Sequence, residues 1–467
     1  MRTCLLPGLL ISLWSAALAA QEPITLSIHP RAIETPVLKY RLFPPEADLK
    51  SGNAVPILLR LPWEQVNYVS SDKFRDLDDW NSQPLDSPEW KDFRQSFPFR
   101  FYDEMKRAAY RREAAWEYPL SEEPPFLILL PDVQGMRQWL GRGLSAKIRY
   151  HLSRGELEQA REGILVGLAN AKHISTTPFH VNQLVATAIH RIMLDRVGEL
   201  ISQPDSPNLY WALAALPESL VALDRAADFE GSAFLLTFPA AADLDQPRDA
   251  AEWKKMLQQW HELNRYLNRA PHDQIKEAEG TIAPLAKVAR GELPGLAGLP
   301  ADRVAAMSDE EAAVRWLVHV RLSYDQQEAA ALSLPPREAL PRLKQLRAEK
   351  AAIESKVGAA RIELRDTTAG YVAMWSLRRK IAALRTIEAV RHHLARYAGK
   401  LPANLTDIAD VTLPLDPLTD QPFVWKVDGN QATLAAPNLP VDLAPLGPMG
   451  QRPGFLEYRL EARPKTE

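Results

Sequence analysis

Apolar residues recur every three or four positions along most of the chain, a spacing that predicts α-helices with one buried face. The clearest stretch runs from Met136 to Pro217. Its first helix carries an apolar stripe at a strict spacing of four, formed by Leu140, Leu144, Ile148 and Leu152. Gly155 ends that helix, and a second stripe follows at Leu157, Ala160, Ile164, Leu168 and Ala171. The single-residue break favours an antiparallel helical hairpin of the tetratricopeptide type.

The same spacing predicts further helices. After Pro178 a third helix, from Val181 to Leu200, has an apolar face broad enough to contact neighbours on two sides. A short helix is expected after a cap at Ser51-Gly52-Asn53, and a longer one follows Ser308 in a capping pattern. The other predicted helices are 101–117, 253–267, 343–364 and 377–397. A Gly/Pro/Ala-rich stretch, 291–300, is predicted to be a loop or hinge.

The pattern changes at both ends of the chain. Ile24, Leu26 and Ile28 alternate with polar residues, which predicts an extended arm with one strand. Near the C-terminus, Asp428-Gly429-Asn430 separates two short apolar runs, the arrangement typical of a β-hairpin. The run 455–460 predicts a third strand.

Together these elements predict a mainly α fold of stacked antiparallel helical hairpins, tetratricopeptide-like or an irregular α-solenoid or bundle, with a small C-terminal β-hairpin module. The predicted segments are a signal peptide (1–20), an extended arm with short helices (21–120), a helical-hairpin domain (121–235), a helix with a Gly/Pro-rich connection (236–300), a long-helix hairpin region (301–400) and the β module (401–467). In 343–364 an intramolecular hairpin is favoured over an oligomer seam, because the heptad pattern is short.

The first twenty residues predict export. Arg2 precedes an apolar run, Leu5 to Leu18, and a small-residue cleavage pattern lies near Ala19 and Ala20. The apolar run is short for a bilayer span, so cleavage is favoured over retention as an anchor. The predicted location is periplasmic or extracellular, without a stable membrane span after cleavage. The only cysteine, Cys4, would leave with the signal peptide, which excludes disulfides and thiolate chemistry in the mature protein.

The amino-acid composition and net charge limit the class of protein and the kinds of partner that are expected. Hydrophobic residues make up 46% and charged residues 25% of the chain, so a disordered chain and a multispanning membrane protein are both excluded. A formal net charge of −3 offers no basic surface for a phosphate backbone, so nucleic acid is not expected as a partner. A protein or peptide is the expected partner, and the oligomeric state is left open.

Candidate chemistry is sparse. The sequence contains no G-x-S-x-G motif, Walker loop, dinucleotide fingerprint or zinc-binding histidine pair, so it predicts no catalytic residue, cofactor or metal. His173, His180 and His190 fall in one region, but their spacing does not match a metal site. Tyr210 and Trp211 are the candidate partner contacts, because aromatic residues dominate recognition surfaces. The apolar residues around this pair favour a place in the core over a surface position.

Four acidic residues near the C-terminus leave a calcium site open: Asp407, Asp410, Asp416 and Asp420. Carboxylate oxygens are the ligands that calcium prefers. Their spacing lacks the dense alternation of an EF-hand loop, and Asp416 before Pro417 also suits an ordinary turn. A calcium site at these acids and an ordinary turn at Asp416 therefore both stay open as hypotheses.

Two resemblances accompany these patterns. The chain resembles a family of secreted helical proteins of unassigned function found in planctomycete-type bacteria, through Arg111-Arg112-Glu113, Trp116, Pro119-Leu120, Leu129-Leu130-Pro131, Pro207 to Leu213, Leu216-Pro217, Arg385 to Ala389 and Gly399 to Pro402. The C-terminal module is similar to the C-terminal half of type II secretion pseudopilins, through Gly399, Leu401-Pro402, Asp416-Pro417, Pro422-Phe423 and the hairpin. In that pattern a glycine often follows the threonine, whereas here Asp420 follows Thr419.

Three functions are carried forward. The first is a non-catalytic, exported helical binding or scaffold protein for a protein or peptide partner, in keeping with the extended surfaces of helical arrays. The second, implied by the C-terminal resemblance, is a component of an envelope secretion or pilus-like system. The third is a hydrolase whose carboxylates or histidines are too far apart in the sequence to be paired by inspection.

Overall fold

The computed structural model describes residues 23–66, 71–93, 101–118, 133–268, 282–357, 362, 364–439 and 455–464. The predicted signal peptide (1–20) and two motifs of the family resemblance, Pro119-Leu120 and Leu129-Leu130-Pro131, lie outside the described residues. The fold is mainly helical with a small C-terminal strand module, which confirms the predicted fold class.

The helices, in chain order, are α1 (Val55–Val66), α2 (Ser71–Ser82), α3 (Tyr102–Ala109), α4 (Val133–Met136), α5 (Leu144–Ser153), α6 (Leu157–Ile174), α7 (His180–Ile201), α8 (Tyr210–Ala214), α9 (Leu223–Thr237), α10 (Ala250–Asn268), α11 (Ile282–Ala297), α12 (Ala301–Ala305), α13 (Asp309–Leu332), α14 (Pro336–Val357) and α15 (Thr368–Arg396). A π-helical segment, Arg137–Gly143, joins α4 to α5. The strands are β1 (Ile24–Ile28), β2 (Lys50–Asn53), β3 (Arg111–Glu113), β4 (Val424–Asp428), β5 (Gln431–Ala435) and β6 (Glu457–Ala462).

Helices α5, α6 and α7 pack against one another. Gly155 adopts a positive φ of 70° between α5 and α6, a conformation that glycine enters without strain. Two other glycines let α6 approach its neighbours closely. A Cβ on Gly163 would lie 2.7 Å from an Ile148 carbon, and one on Gly167 would lie 2.2 Å from the Met193 sulfur. The three helices therefore pack with little space between their backbones.

Three predicted elements need correction. The helix predicted over 101–117 ends at Ala109, because the chain continues as β3, which pairs in parallel with β2. The stretch 291–300, predicted as a loop, lies largely in α11, which runs to Ala297 and holds Pro294 inside it. The helix predicted over 343–364 ends at Val357.

Other predicted features are confirmed. Asn53 caps α1 by accepting a hydrogen bond from the Val55 backbone N–H at 3.0 Å. The Ser308 hydroxyl accepts from the Glu311 N–H at 3.1 Å at the start of α13. These short polar side chains satisfy backbone donors that a helix start leaves unpaired.

The C-terminal module is a four-stranded sheet in the order β1-β6-β5-β4. The predicted hairpin is β4 and β5, and the predicted third strand is β6, which pairs with β5 in antiparallel fashion. The N-terminal strand β1 adds to the other side of β6 in parallel, from Ile24 opposite Tyr458 to Ile28 opposite Ala462. The two ends of the described chain therefore meet in one sheet.

Two hydrophobic cores organise the described residues. The first contains residues of α1 to α8, the sheet, and α15 from Leu377 to Leu394. The second contains residues of α9 to α14 and, from the start of α15, Tyr371 and Val372. The chain thus leaves the first core after Val221 and returns to it along α15.

Candidate binding site

Helix α15 is the one described element that supplies buried residues to both cores. Met374 packs against both hydrophobic clusters, with Tyr371 and Val372 before it in the second core and Leu377 after it in the first. The boundary between the cores, here called the seam, therefore lies at Met374.

A cavity of about 370 Å³ opens at this seam. Three segments form its walls: the connection from α8 into α9, the turn between α13 and α14, and the first half of α15. The lining residues are Ser219, Leu220, Val221, Asp224, Leu332, Ser333, Leu334, Pro335, Met374, Trp375, Leu377 and Arg378. Its size lies within the ~300–1,000 Å³ of small-molecule pockets, and its mostly apolar walls with a few polar groups are typical of such sites.

Arg378 is the basic residue of this lining. Its side chain is half-buried, and the guanidinium carbon lies 5.2 Å from the centre of the Trp375 ring, which supports it through a cation–π contact. Within the described ranges the guanidinium donates no hydrogen bond and forms no ion pair, and the exposed Glu218 acts on it only at longer range. Partial burial lowers the pKa of Arg378.

Arg379, the next residue, shows the opposite arrangement. Its Nε donates to Oδ1 of Asp416 at 2.7 Å and its Nη2 to Oδ2 at 2.6 Å. Both side chains are almost completely buried, at 2% and 0% exposure. One arginine of the pair therefore holds the β module against α15, while the other faces the cavity.

A half-exposed stripe continues from the cavity along α15. Met374, Arg378, Ile381 and Arg385 follow one another at spacings of four, three and four, which places them on one face of the helix. Nearly all other residues between Leu377 and Leu394 are buried. At 1.5 Å per residue the stripe is roughly 16 Å long.

The far end of the stripe meets the predicted aromatic pair. Nη2 of Arg385 donates to the Tyr210 hydroxyl at 3.2 Å, and the Arg385 guanidinium lies 5.0 Å from the centre of that ring. Tyr210 is only 1% exposed and donates its hydroxyl proton to the Thr412 carbonyl, so its ring and hydroxyl are committed within the fold. Trp211 is 37% exposed and packs edge-to-face on Tyr210. Of the two predicted contacts, Trp211 alone presents a surface to a partner.

The segment before this pair is a packing joint. The Asn208 amide donates to the Glu388 carbonyl at 2.8 Å and to the Arg31 carbonyl at 3.0 Å. Arg391, completely buried, donates to both oxygens of Glu388 at 3.0 Å and to the backbone carbonyls of Pro207, Ser206 and His29. The joint therefore fixes the α7–α8 connection and the N-terminal arm on α15.

The four C-terminal acids do not come together around an ion. Both oxygens of Asp416 are occupied by Arg379, and Oδ2 also accepts from the Thr419 hydroxyl at 2.6 Å. Asp407 accepts from the Asn404 N–H at 2.8 Å, and Asp410 pairs with Arg396. Across the described ranges no group of three or more His, Cys, Asp or Glu residues is placed to hold a metal ion. The contacts of Asp416 therefore match those of an ordinary turn residue.

Asp420 lies in the turn that closes this segment. Its φ of 55° is in the left-handed region, which favours glycine, and its N–H donates to the Asp416 carbonyl at 2.8 Å.

The three histidines lie in separate surroundings. Nε2 of His173 contacts the Ala108 carbonyl at 3.1 Å, and Nε2 of His190 contacts the Leu220 carbonyl at 3.2 Å, so each bonds to backbone. Burial lowers the pKa of His173 to about 4 and that of His190 to about 3. Both are neutral at physiological pH, and their contacts are those of core histidines.

One cluster of titratable groups does converge, around Arg365. Its guanidinium lies 3.2 Å from Glu230, 3.5 Å from Asp325 and 3.6 Å from Glu328. Arg321 donates from Nε to Asp325 at 2.7 Å. Asp325 and Glu328 are almost completely buried, and burial raises the pKa of Glu328. The cluster links α9, α13 and the segment entering α15.

Sequence reasoning missed Arg378 and the seam cavity. The three walls lie at 219–224, 332–335 and 374–378, well separated along the chain, and no pattern places them together. One feature could have singled out the arginine: Arg378 and Arg379 are adjacent on a helix that is otherwise mostly apolar, so they point in different directions.

Comparison of the chain with protein-family models, with curated proteins and with solved structures finds no match. Among the helices of the described ranges, none combines the length and the apolar character needed to cross a bilayer.

Proposed function

We propose that this protein is a non-catalytic, exported helical binding protein that holds a segment of a protein or peptide partner in the seam cavity. The observation that carries this proposal is the cavity itself: about 370 Å³ of space with Leu, Met, Pro and Trp walls and a half-buried arginine that has no hydrogen-bond or ion-pair partner among the described residues. An apolar cavity with few polar groups is the usual form of a binding site.

The stripe on α15 supports a peptide rather than a compact small molecule. Its length of roughly 16 Å corresponds to about five residues of extended chain at ~3.3 Å each. Ile381 and Arg385 offer alternating apolar and hydrogen-bonding contacts along it, and the exposed Trp211 lies at its end. A partner segment would thus begin in the cavity and continue along α15.

The helical array supports the same role. In this proposal α5 to α7 act as tetratricopeptide-like hairpins, whose stacking gives a rigid frame for a binding surface. The N-terminal targeting pattern supports export to the periplasm or beyond.

The hydrogen bonds and ion pairs of Glu328 and Asp325 favour a binding role over hydrolysis. Glu328 accepts from the Thr367 N–H and hydroxyl at 2.9 Å, and Asp325 is paired with Arg321. Acids held this way inside a core are engaged with neighbouring groups of the fold and are not presented to a substrate.

A second candidate is a component of an envelope secretion or pilus-like system. The observation that favours it is the left-handed backbone of Asp420, where the pseudopilin pattern often has glycine. It predicts membrane association of the processed protein, and recovery of all of that protein in the periplasmic soluble fraction would argue against it.

The binding proposal is tested by affinity capture from the envelope of the producing cell with three forms of the full chain: wild type, Leu334→Glu and Leu296→Glu. Both leucines are similarly exposed, at 38% and 45%, but only Leu334 lines the cavity. The proposal expects a partner that is retained by wild type and by Leu296→Glu and lost with Leu334→Glu. Equal retention by all three forms would contradict it.

A further inference from the structure

We propose that Arg378 binds the free carboxylate at the C-terminal end of the partner, so that the seam cavity recognises a chain that ends in an apolar residue. This inference rests on the proposed binding function and specifies its ligand.

The charge of Arg378 is the first feature that favours a carboxylate ligand. Guanidinium groups in apolar surroundings are normally satisfied by carboxylates or carbonyls, as Arg379 is by Asp416. Arg378 lines the cavity with only the Trp375 ring against it, among the described residues. Contact with the Trp375 ring does not use the guanidinium N–H groups in hydrogen bonds to an oxygen. A carboxylate is the group to which such a planar fork can donate two parallel hydrogen bonds.

The second step is the apolar space next to that charge. Leu220, Leu332, Leu334 and Met374 line the same cavity as Arg378. At the end of a chain the carboxylate and the last side chain are attached to the same Cα, so an arginine beside an apolar pocket matches both at once. An internal acidic residue would instead bring a polar backbone on both sides into the apolar space, at a cost in unpaired groups.

The third step is size. At about 370 Å³ the cavity lies near the lower end of the ~300–1,000 Å³ range of small-molecule pockets. It therefore suits the end of a chain rather than a long segment.

The fourth step concerns the kind of anion. Asp224 lines the cavity and Glu218 acts on Arg378 at longer range. Two acidic side chains repel a doubly charged phosphate more strongly than a singly charged carboxylate. A fatty acid shares the carboxylate and the apolar body, but its chain would leave the hydrogen-bonding groups of the α15 stripe unused.

The experiment measures binding of two peptide pools to the full chain by calorimetry. One pool contains acetylated tetra-alanine peptides ending in Leu, Ile, Met or Phe with a free carboxylate, and the other contains the same peptides as amides. We expect wild type to bind the acid pool at least tenfold more tightly than the amide pool. Arg378→Gln should bind both pools at the amide level, and Arg378→Lys should recover part of the preference because the charge returns without the planar fork.

The control is Arg303→Gln, which removes an arginine that is exposed and paired with Asp245 outside the cavity. It should keep the wild-type preference, and melting curves should show that each variant is folded. Equal binding of acids and amides by wild type, lost for both with Leu334→Glu, would overturn the carboxylate inference and leave the binding function standing. Failure of both pools to bind would overturn the inference and count against the binding function. Binding of dodecanoate without either pool would overturn the choice of a peptide.

Discussion

Replacing Asp416 with asparagine removes the charge that pairs with Arg379 while leaving the shape of the side chain. Asp416 is fully buried and bonds to Arg379 through both oxygens, at 2.7 and 2.6 Å. With charge centres roughly 4 Å apart and an effective dielectric constant of about 20, the attraction amounts to about 4 kcal/mol. Measured losses for breaking one side of a buried pair are about 3–5 kcal/mol, because the remaining charge stays buried without compensation.

We therefore expect Asp416→Asn to lower the free energy of unfolding by about 3–5 kcal/mol. The assay is urea unfolding followed by circular dichroism, with Glu338→Gln as the control. Glu338 pairs with Arg337 at the surface, with exposures of 51% and 69%, so its loss should cost less than about 1 kcal/mol. Replacing both members of the buried pair, with Arg379→Met and Asp416→Leu, should recover most of the loss because no lone charge remains.

The same experiment distinguishes an arginine partner from a calcium ion at Asp416. Since Arg379 occupies both oxygens, excess calcium or a chelator should leave the wild-type midpoint unchanged. The reasoning is refuted if Asp416→Asn costs no more than the surface control, or if calcium raises the wild-type midpoint and this rise disappears in Asp416→Asn.

Three further predictions concern the helices and the β module. Gly167→Ala should lower the free energy of unfolding by about 1–3 kcal/mol, because its Cβ would meet the Met193 sulfur at 2.2 Å. Gly291→Ala, with open space around it in α11, should raise that free energy by about 0.5–1 kcal/mol, and equal effects of the two variants in urea unfolding would refute the packing argument. Asp420→Gly should raise the free energy of unfolding by roughly 0.5–1 kcal/mol by relieving its left-handed backbone, and a loss in the same assay would contradict this. His190 stays neutral when folded, with a pKa of about 3, but takes up a proton below about pH 6.5 when unfolded, so its stabilising effect is complete above pH 6.5 and is lost as the pH falls toward 3. Between pH 7 and 5 this amounts to about 2 kcal/mol, and the fall in unfolding free energy over that interval should shrink by that amount in His190→Gln; an unchanged fall would refute it.

Helices α5 and α6 were predictable because their determinants are local. The stripes of α5 and α6 repeat within one or two turns, and Gly155 marks the break between them. The hairpin of β4 and β5 is equally local, since its turn residues lie between the strands they connect. Where spacing within about twenty residues decides the structure, the sequence predicts it.

Elements decided by distant contacts were not predictable in the same way. Arg111 to Glu113 continue a helical pattern, but pairing with β2, some sixty residues earlier, makes them a strand. The place of β1 beside β6 depends on a partner more than four hundred residues away. Pro294 favours a break by its chemistry, yet packing of α11 on α13 keeps it within a helix.

The candidate site belongs to this second group. The burial of Tyr210 depends on Thr412 and Arg385, which no local pattern connects to it, and a partner contact through Trp211 stays a prediction. Arg378 belongs to no sequence motif. The structure distinguishes it from its neighbour because Asp416 pairs with Arg379 and not with Arg378. Only the three-dimensional structure shows that Arg378 has no ion-pair partner among the described residues.

The central claim is that a partner segment occupies the seam cavity. The most direct measurement is photocrosslinking in the producing cell with a photoreactive residue in place of Leu334, compared with the same residue in place of Leu296, which is similarly exposed but lies outside the cavity. The account predicts one discrete crosslinked product from position 334, attached through the C-terminal residues of the partner, and none from position 296. The same products from both positions, or none from position 334, would contradict it.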